Sequence, residues 1–362
     1  MSIKSINSVG IDTAKQLISM MAVQVKNGLI KPSSANMCLH GSPGLGKSAI
    51  VAQVAKELGF RLIDLRLSAM EASDVLGIPY TFNGEMRFST PEWWPVDGVP
   101  CIIFLDELKS APPAVQTAAY RLILDRSIQN GKVLPDNCMI VAAGNLKEDK
   151  TGARDLLPAA ANRFAIHLIV DKSQALEPFL NYAVVNGLHR SVVGYLTWKR
   201  DAIYGVIGDE AAYASPRTWE AVSNMLGIQE LSSSVILRNI AIAGAVGSSE
   251  AMSFAGYLEN DGKLPDWKRV RSGDKSYEYS IERGDTCLEY AVAVGIAFEI
   301  LDAIEKNAAD EIDRLGELLD VVGDDMSVVM FRTMRRNPKA PMVILRTPSL
   351  KARFEKIKTH LK

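Results

Sequence analysis

The sequence predicts an α/β fold: a parallel five-stranded sheet with helices on both faces, followed by a mainly helical region. Short apolar runs, which are typical of buried parallel strands, alternate with helical periodicities over the first 170 of the 362 residues. A glycine-rich loop at Gly41–Ser48 joins one of these runs to a helix, an arrangement that suits phosphate binding. From residue 171 onward the apolar residues recur with helical spacing only.

The composition is that of an ordinary globular protein, and it argues against several classes of function. With 48% hydrophobic residues, 23% charged residues and a net charge of −1, nothing indicates a nucleic-acid coat or a membrane-surface protein. No apolar stretch reaches the ~18 residues that a membrane span needs. The cysteines lie far apart without the spacing of metal ligands, which favours reduced thiols in a cytoplasmic protein and no zinc site. They are Cys38, Cys101, Cys138 and Cys287.

The N-terminal segment predicts a helix rather than a secretion signal. Leu17–Val25 is apolar, but Gln24 interrupts it and no small-residue cleavage site follows. We expect a helix that is capped around Asp12–Thr13 and packs beside the first strand.

The segment Gly41–Ser48 fits the phosphate-binding pattern G-x-x-x-x-G-K-[ST]. A short apolar strand, Asn36–His40, enters the loop, and the helix after it is predicted to end at Gly59. The glycines let the backbone curl so that several N–H groups point at one anion. Lys47 adds a positive charge for the terminal phosphates, and Ser48 offers a hydroxyl to Mg²⁺. The loop therefore predicts a bound triphosphate.

An acidic pair follows the third predicted strand. The second strand is predicted at Arg61–Leu67, and the third, Val99–Leu105, is fully apolar and ends in Asp106-Glu107. Two carboxylates at the carboxyl end of a buried strand are costly unless a cation meets them, and ligands bind at this edge of an open α/β sheet. We expect Asp106 to hold Mg²⁺ and Glu107 to face the attacking water. Capping of a helix is the alternative, but the next helix starts only near Pro112-Pro113.

Two Asn-Gly pairs predict β-hairpins, at Thr81–Phe88 and at Ser127–Leu134. Trp93 and Trp94 come after the first hairpin. They fit either a local apolar cluster or a surface that contacts substrate, because tryptophan suits both.

Three further polar residues are candidates for the site. The fourth strand, Met139–Ala143, leads to Asn145, whose amide can bond both a water and a phosphate or can serve a plain turn. Arg163 precedes the fifth strand, Ala165–Val170, where a surface cation or a charge at a helix C-terminus is the alternative. Arg217 begins a helix and can face either a phosphate or solvent.

In their order along the chain, these motifs resemble the elements of AAA+ ATPases. Gly41–Ser48 resembles Walker A, Asp106-Glu107 Walker B, Asn145 sensor 1, Arg163 the arginine finger, and Ser215-Pro216-Arg217 sensor 2. The stretches DELKSAPPAVQTAAYRLILDRSIQNGKVLP and LLPAAANRF are most similar to the MoxR and dynein-related branch. The two Asn-Gly hairpins also lie where that branch carries its helix-2 insert and its pre-sensor-1 hairpin. The resemblance covers residues 10–250.

The resemblance implies ATP and Mg²⁺ as cofactors and a role for each residue of the site. Lys47 and Ser48 would bind phosphate and Mg²⁺, and Asp106 would bind Mg²⁺ through water. Glu107 would polarise the hydrolytic water, and Asn145 would position it. The nucleotide-binding residues that it implies are Gly41, Ser42, Pro43, Gly44, Leu45, Gly46, Lys47, Ser48, Ala49 and Asp106.

The resemblance also implies an assembly. Arg163, with Arg154 as a competitor in the same segment, would reach the nucleotide of a neighbouring subunit, and Arg217 would act from its own lid. A trans arginine contributes about 10³–10⁵ in rate in related phosphoryl-transfer enzymes, so we expect a ring, taken as a hexamer. MoxR-type proteins often work with a partner that contains a von Willebrand A domain, which suggests chaperone-like remodelling of a protein here.

Other classes of function explain fewer residues. A small-molecule kinase would use the same loop but leaves Asn145 and Arg163 unexplained. A GTPase is disfavoured because Asn145–Asp149 is not the contiguous Asn-Lys-x-Asp of guanine recognition. A DNA-associated motor or loader is favoured only by the basic C-terminal segment.

The predicted organisation has three parts: an α/β core at 1–170, a helical lid at 171–255 and a mainly helical extension at 256–362. In the extension, Glu299–Asp325 holds ten acidic residues against two basic ones, and Arg332–Lys362 holds ten basic residues against one acidic. These two segments fit solvated helix faces that pair with each other, or an acidic face that meets the basic tail of a neighbouring subunit. Nucleic-acid binding by the tail is less favoured, because almost no aromatic residues interleave with its charges.

Overall fold

A computed structural model of the chain describes residues 8–95, 98–149, 156, 161–207, 211–281 and 284–361, without the side chain of Glu148. The chain divides into two compact units, Met1–Ala175 and Leu176–Lys362. The second unit contains all but the first five residues of the segment predicted as a lid, together with the segment predicted as an extension.

The first unit contains eight strands among its described residues. They are β1 (Ser8–Val9), β2 (Met37–His40), β3 (Arg61–Arg66), β4 (Pro79–Phe82), β5 (Glu85–Phe88), β6 (Cys101–Asp106), β7 (Cys138–Gly144) and β8 (Ile166–Val170). Six of them form one parallel sheet in the order β1-β8-β2-β7-β6-β3. The parallel sheet is confirmed, with one strand more than predicted. The added strand is β1, whose two residues are too few to show a periodicity.

Helices cover both faces of this sheet: α1 (Ile11–Lys26), α2 (Lys47–Leu58), α3 (Ala72–Leu76) and α4 (Pro113–Asp125). On one face, α4 buries Val115 and Leu122 against Ile103 and Ile140. On the other face, α1 contacts β7, and α2 contacts β6 and β7. Each such aliphatic side chain contributes about 1.5–3 kcal/mol when it is fully buried. The core thereby fixes the strand ends that carry the site.

The predicted cap of the first helix is wrong. Helix α1 begins after Gly10, so Asp12 and Thr13 lie inside its first turn. An acidic residue in the first turn stabilises the helix dipole without capping the helix, and the two roles look alike in a sequence.

The two Asn-Gly turns differ in the structure. Strands β4 and β5 form an antiparallel hairpin around Asn83-Gly84, where both residues have positive φ. Around Asn130-Gly131 the pairing is reduced to a single bridge between Ser127 and Val133. Trp93 and Trp94 are half-buried against the main core, and the indole of Trp93 donates to the carbonyl of Asp74 at 2.8 Å.

The second unit is helical. Its described helices are α5 (Leu176–Val185), α6 (Arg190–Trp198), α7 (Pro216–Leu226), α8 (Gln229–Ser233), α9 (Val235–Val246), α10 (Ser248–Leu258), α11 (Trp267–Ser272), α12 (Thr286–Glu305), α13 (Ala309–Glu317), α14 (Leu319–Arg335), α15 (Ala340–Arg346) and α16 (Pro348–Ile357). The long apolar helix α12 is central and packs against α6 on one side and α14 on another. The packing of α12 on α6 brings part of the predicted extension onto part of the predicted lid. The boundary at residue 255 stays a prediction.

Ion pairs within the second unit use part of the acidic segment. Arg271 lies within 3.1 Å of carboxylate oxygens of Glu299, Asp302 and Glu311. In the basic tail, Arg353 lies 3.1 Å from Asp324. The acidic segment is therefore paired, in part, within its own chain. The four cysteines are free thiols, and no helix of the described residues has the length and apolar character to cross a membrane.

Candidate functional site

The phosphate loop lies between β2 and the first turn of α2. Gly44 and Gly46 have φ values of 79° and 89°, which favour glycine because a Cβ clashes in this left-handed region. At Gly41 the constraint is space, since a Cβ would lie 2.9 Å from the carbonyl oxygen of Val170. These backbone geometries curl the loop over the N-terminus of α2, where helix N–H groups favour an anion.

Lys47 is the buried centre of the loop, with a residue exposure of 7%. Its ammonium donates to the carbonyls of Gly41 and Ser42 at 2.7 and 2.9 Å, and to the side-chain oxygen of Asn145 at 3.3 Å. Asn145 directly follows β7, the sheet neighbour of β2. The structure therefore brings together two predicted site residues that are 98 positions apart.

Ser48 and Asp106 form the candidate magnesium site. The hydroxyl of Ser48 donates to Asp106 Oδ2 at 2.8 Å, and the other carboxylate oxygen of Asp106 accepts from the backbone N–H of Glu107 at 2.9 Å. A hydroxyl and a carboxylate are the hard oxygen ligands that Mg²⁺ prefers, and Mg²⁺ keeps several waters beside one or two protein ligands. The donor set fits Mg²⁺.

Glu107 has an unusual backbone and a side-chain partner that the sequence did not reveal. Its φ of 57° and ψ of 30° are left-handed, a conformation that costs a non-glycine residue about 1–3 kcal/mol and clusters at functional sites. The hydroxyl of Ser68 donates to Glu107 Oε2. Ser68 comes just after β3, whose last residue, Arg66, pairs with Asp106. The pairing of β3 with β6 places Ser68 here, and no motif marks that pairing in the sequence.

Asp149 is a second residue of the site that no motif marks in the sequence. Its carboxylate accepts from the hydroxyl of Ser42 at 2.8 Å and from the backbone N–H of Leu146 at 3.2 Å. Asp149 is 7% exposed and Ser42 is 2% exposed. One buried carboxylate thus ties the phosphate loop to the turn that carries Asn145.

Beneath the loop, His40 and His167 form a hydrogen-bonded pair with 2.9 Å between Nε2 and Nδ1. Burial, together with the charges of Lys109, His167 and Lys47, lowers the pKa of His40 to about 3. Cys38, His40 and His167 offer three possible metal-ligand atoms within 4.8 Å of one another. The ammonium groups of Lys109 and Lys47 would repel a cation at this position, so we assign no metal to it.

Arg163 is half-buried beside helix α4. Its guanidinium carbon lies 5.7 Å from the ring centroid of Tyr120, and its charge opposes the rise that burial causes in the pKa of that phenol. Arg154, the competing candidate, lies outside the described residues. Four of the nine residues of the LLPAAANRF motif, residues 157–160, lie outside them too.

Arg217 belongs to the second unit and is exposed in the first turn of α7. Ser215 and Thr218 form a reciprocal capping box at this helix end. A cation in the first turn opposes the helix dipole by roughly 0.3–1 kcal/mol, so the capping box stabilises this turn and Arg217 does not.

Comparison with known proteins finds a family match within the first unit. Residues 37–172 match the family described as ATPase family associated with various cellular activities (AAA), so the chain contains an AAA ATPase domain. Midasin of Giardia intestinalis is 30% identical over 151 residues, which are 38% of this chain and 3% of that protein. Replication factor C subunit 2 of Schizosaccharomyces pombe is 36% identical over 106 residues, 27% of this chain and 31% of that protein. The chain thus matches less than a third of each of these relatives.

Among solved structures, the Thermotoga maritima RuvB Holliday junction branch migration motor is similar at 15% identity, with a TM-score of 0.33 over 75% of this chain and 79% of that one. The likeness is too distant to inform the site. The predicted AAA+ resemblance is confirmed as an AAA ATPase domain, and the family match supports an ATP-hydrolysing enzyme. The finer similarity to the MoxR and dynein-related branch stays a prediction.

Proposed function

We propose that this protein is an ATP-hydrolysing motor subunit of the MoxR-like kind, working in a homo-oligomeric ring to remodel or assemble a protein partner. The observation that supports it most is the convergence of Lys47, Asp106, Glu107 and Asn145 at one edge of the parallel sheet. They come from three different strand ends, and this edge is where ligands bind in open α/β sheets.

Each residue would have a separate task in hydrolysis. Lys47 would bind the terminal phosphates of ATP, and Mg²⁺ held by Ser48 and Asp106 would neutralise developing charge. Glu107 would take a proton from the attacking water while the oxygen of that water bonds to the γ-phosphorus and the bond between the γ-phosphorus and ADP breaks. Asn145, already beside Lys47, would hold the water in line.

The ring is proposed because of the arginines. Among the described residues, no hydrogen bond joins Arg163 to the phosphate loop, and its guanidinium lies over Tyr120 instead. This placement supports a role toward a neighbouring subunit. Arg217 opposes the dipole of its own helix, which supports an anionic partner such as a phosphate. A hexamer, a von Willebrand A domain partner and a cytoplasmic location belong to the same proposal.

A mixing experiment tests the shared site. Glu107→Gln and Arg163→Ala should each be nearly inactive alone, because one lacks the base and the other lacks the trans charge. Mixed rings should regain ATPase activity, since some sites combine an intact Glu107 with an intact Arg163 from the next subunit. Glu92→Gln, an exposed change of the same chemistry, is the control and should keep full activity. Absence of recovery on mixing, with both variants assembled, would contradict the ring model.

The partner is tested with the same base variant. Glu107→Gln should still bind ATP and remain in the ATP state. A partner that prefers this state should therefore be retained when the variant is immobilised on an affinity column in the presence of ATP. Capture of a von Willebrand A domain protein by Glu107→Gln with ATP, and not with ADP, would support the proposal. Phosphate found on an acceptor molecule instead of in water would favour a kinase.

A DNA-associated loader or motor is the second candidate. Similarity to a replication factor C subunit and the basic segment Arg332–Lys362 favour it. Stimulation of ATP hydrolysis by DNA, lost as salt rises, would support this candidate over a protein remodeller.

A further inference from the structure

The second unit contains a cleft of about 730 Å³ whose lining carries an excess of positive charge. Helices α5, α6, α12 and α14 supply most of its lining. The charged residues that line it are four arginines and a single glutamate: Arg200, Arg332, Arg335, Arg336 and Glu177. A volume of this size is typical of sites for small molecules.

Two of the arginines already hold an anion. Arg200 and Arg336 donate to opposite oxygens of the Glu177 carboxylate at 2.6 and 2.7 Å. Burial would raise the pKa of Glu177, but the hydrogen bonds from Arg336 and Arg200 hold it below its usual value. This part of the cleft is therefore arranged around a negatively charged group.

The other two arginines differ from these in the partners that the described residues give them. Arg332 donates to the carbonyl of His360 at 3.1 Å, and Arg335 donates to the carbonyl of Leu361 at 3.4 Å. Among the residues that the structure describes, the hydrogen bonds of these two guanidinium groups go to backbone carbonyls, and no ion pair joins either one to a carboxylate. A guanidinium has five N–H donors, so each keeps most of its donors for a further acceptor.

The position of these arginines on α14 favours one shared ligand. Arg332 and Arg335 lie in the last turn of α14 and Arg336 caps it in a helical conformation, so the spacing i, i+3 and i+4 puts all three on one face. The helix dipole explains why a cation is favourable near the C-terminus of a helix. It does not explain why three arginines at this helix end line the same cleft. Tyr290 and Val329 line the same cleft and provide apolar surface beside the charges.

We propose that this cleft is a binding site for phosphate-bearing anions, separate from the ATP site. Arg332 and Arg335 would form forked hydrogen bonds to phosphate oxygens, a geometry for which arginine is better suited than lysine. Tyr290 would pack against whatever apolar or aromatic group the phosphates carry. The phosphates can belong to a free oligophosphate or to the backbone of a nucleic-acid strand.

The test uses a background in which the phosphate loop does not compete. Calorimetric titration of inorganic tripolyphosphate, without magnesium, is carried out on full-length Lys47→Ala. Adding Arg332→Gln and Arg335→Gln should weaken binding by at least about tenfold, since charge-assisted hydrogen bonds are lost. Glutamine keeps an N–H donor for the carbonyls of His360 and Leu361, and unchanged thermal melting confirms the fold.

A matched pair of substitutions separates a site from general charge. Arg346→Gln with Lys351→Gln also removes two positive charges, but from exposed positions outside the cleft. This pair should change the affinity for tripolyphosphate less than about twofold. Equal weakening by both pairs, or no detectable binding to Lys47→Ala at low salt, would overturn the proposal.

A second titration distinguishes the two sources of phosphate. Fluorescent oligothymidylate that is displaced by tripolyphosphate, and that depends on Arg332 and Arg335, would identify a nucleic-acid strand. Tripolyphosphate binding that oligothymidylate does not disturb would identify a free oligophosphate. Displacement by polyglutamate as efficient as by tripolyphosphate would overturn the assignment to phosphates.

Discussion

The carboxylate of Asp149 gives the most direct test of how the site is held together. It accepts from the Ser42 hydroxyl at 2.8 Å and from the Leu146 N–H at 3.2 Å, and both Asp149 and Ser42 are almost fully buried. A hydrogen bond to a charged group is worth about 1.5–3 kcal/mol, and the longer of these two bonds belongs at the low end. Asp149→Ala should therefore lower the free energy of unfolding of the first unit by about 3 kcal/mol.

A double-mutant cycle isolates the link between the two loops. Ser42→Ala removes one bond, Asp149→Ala removes both, and the double variant should be more stable than the sum of the single losses predicts. We expect a coupling energy of about 1–2 kcal/mol in urea unfolding, monitored on the transition that ATP shifts. Additivity within about 0.3 kcal/mol would refute the link.

The same link should be visible in catalysis. Because Asp149 ties the phosphate loop to the turn that carries Asn145, its loss should misplace the water relative to the phosphate. We expect kcat to fall about tenfold in Asp149→Ala, as about 1.4 kcal/mol of lost positioning would give. Asp149→Asn is the control, since it keeps an acceptor for Ser42 and loses only the bond from Leu146.

Three further changes probe the same region. Ser68→Ala removes the donor to Glu107 and should lower kcat about fivefold with KM unchanged, as loss of about 1 kcal/mol predicts; a higher kcat would mean that the bond restrains the base. Gly41→Ala places a Cβ 2.9 Å from the Val170 carbonyl and should weaken ATP binding at least about tenfold in fluorescence titration, because backbone must move. Below pH 6.5 the histidine of the unfolded chain binds a proton, whereas His40 in the folded chain, with its pKa of about 3, does not. The free energy of unfolding should therefore decrease as the pH is lowered, by up to about 1.4 kcal/mol per pH unit. His40→Asn should remove that slope in acid unfolding curves, and an unchanged slope would contradict the pKa assignment.

Features of the site whose residues are contiguous in the sequence could be predicted from it. The phosphate loop could be recognised because glycines, lysine and serine lie within eight positions, and Asp106-Glu107 because an apolar strand ends there. Parallel strands then bring their carboxyl ends to one edge whatever their order, which is why Asn145 could be placed beside the loop.

Ser68 and Asp149 could not be found in this way. Their importance depends on register and side-chain direction: Ser68 reaches Glu107 because β3 pairs with β6, and Asp149 reaches Ser42 through a short turn. The strand β1 was missed because two residues show no alternation. The cap of α1 was misplaced because an acidic residue favours a helix both at its cap and in its first turn.

The left-handed backbone of Glu107 has a consequence for how this chain responds to selection. Glycine or asparagine adopts this conformation with less strain, so either residue at this position should raise the free energy of unfolding by about 1 kcal/mol and make the protein more resistant to heat. The same change would delete the proposed base. A library enriched only for thermal resistance should therefore lose glutamate at position 107 early, and a library enriched for turnover should retain it together with its strain.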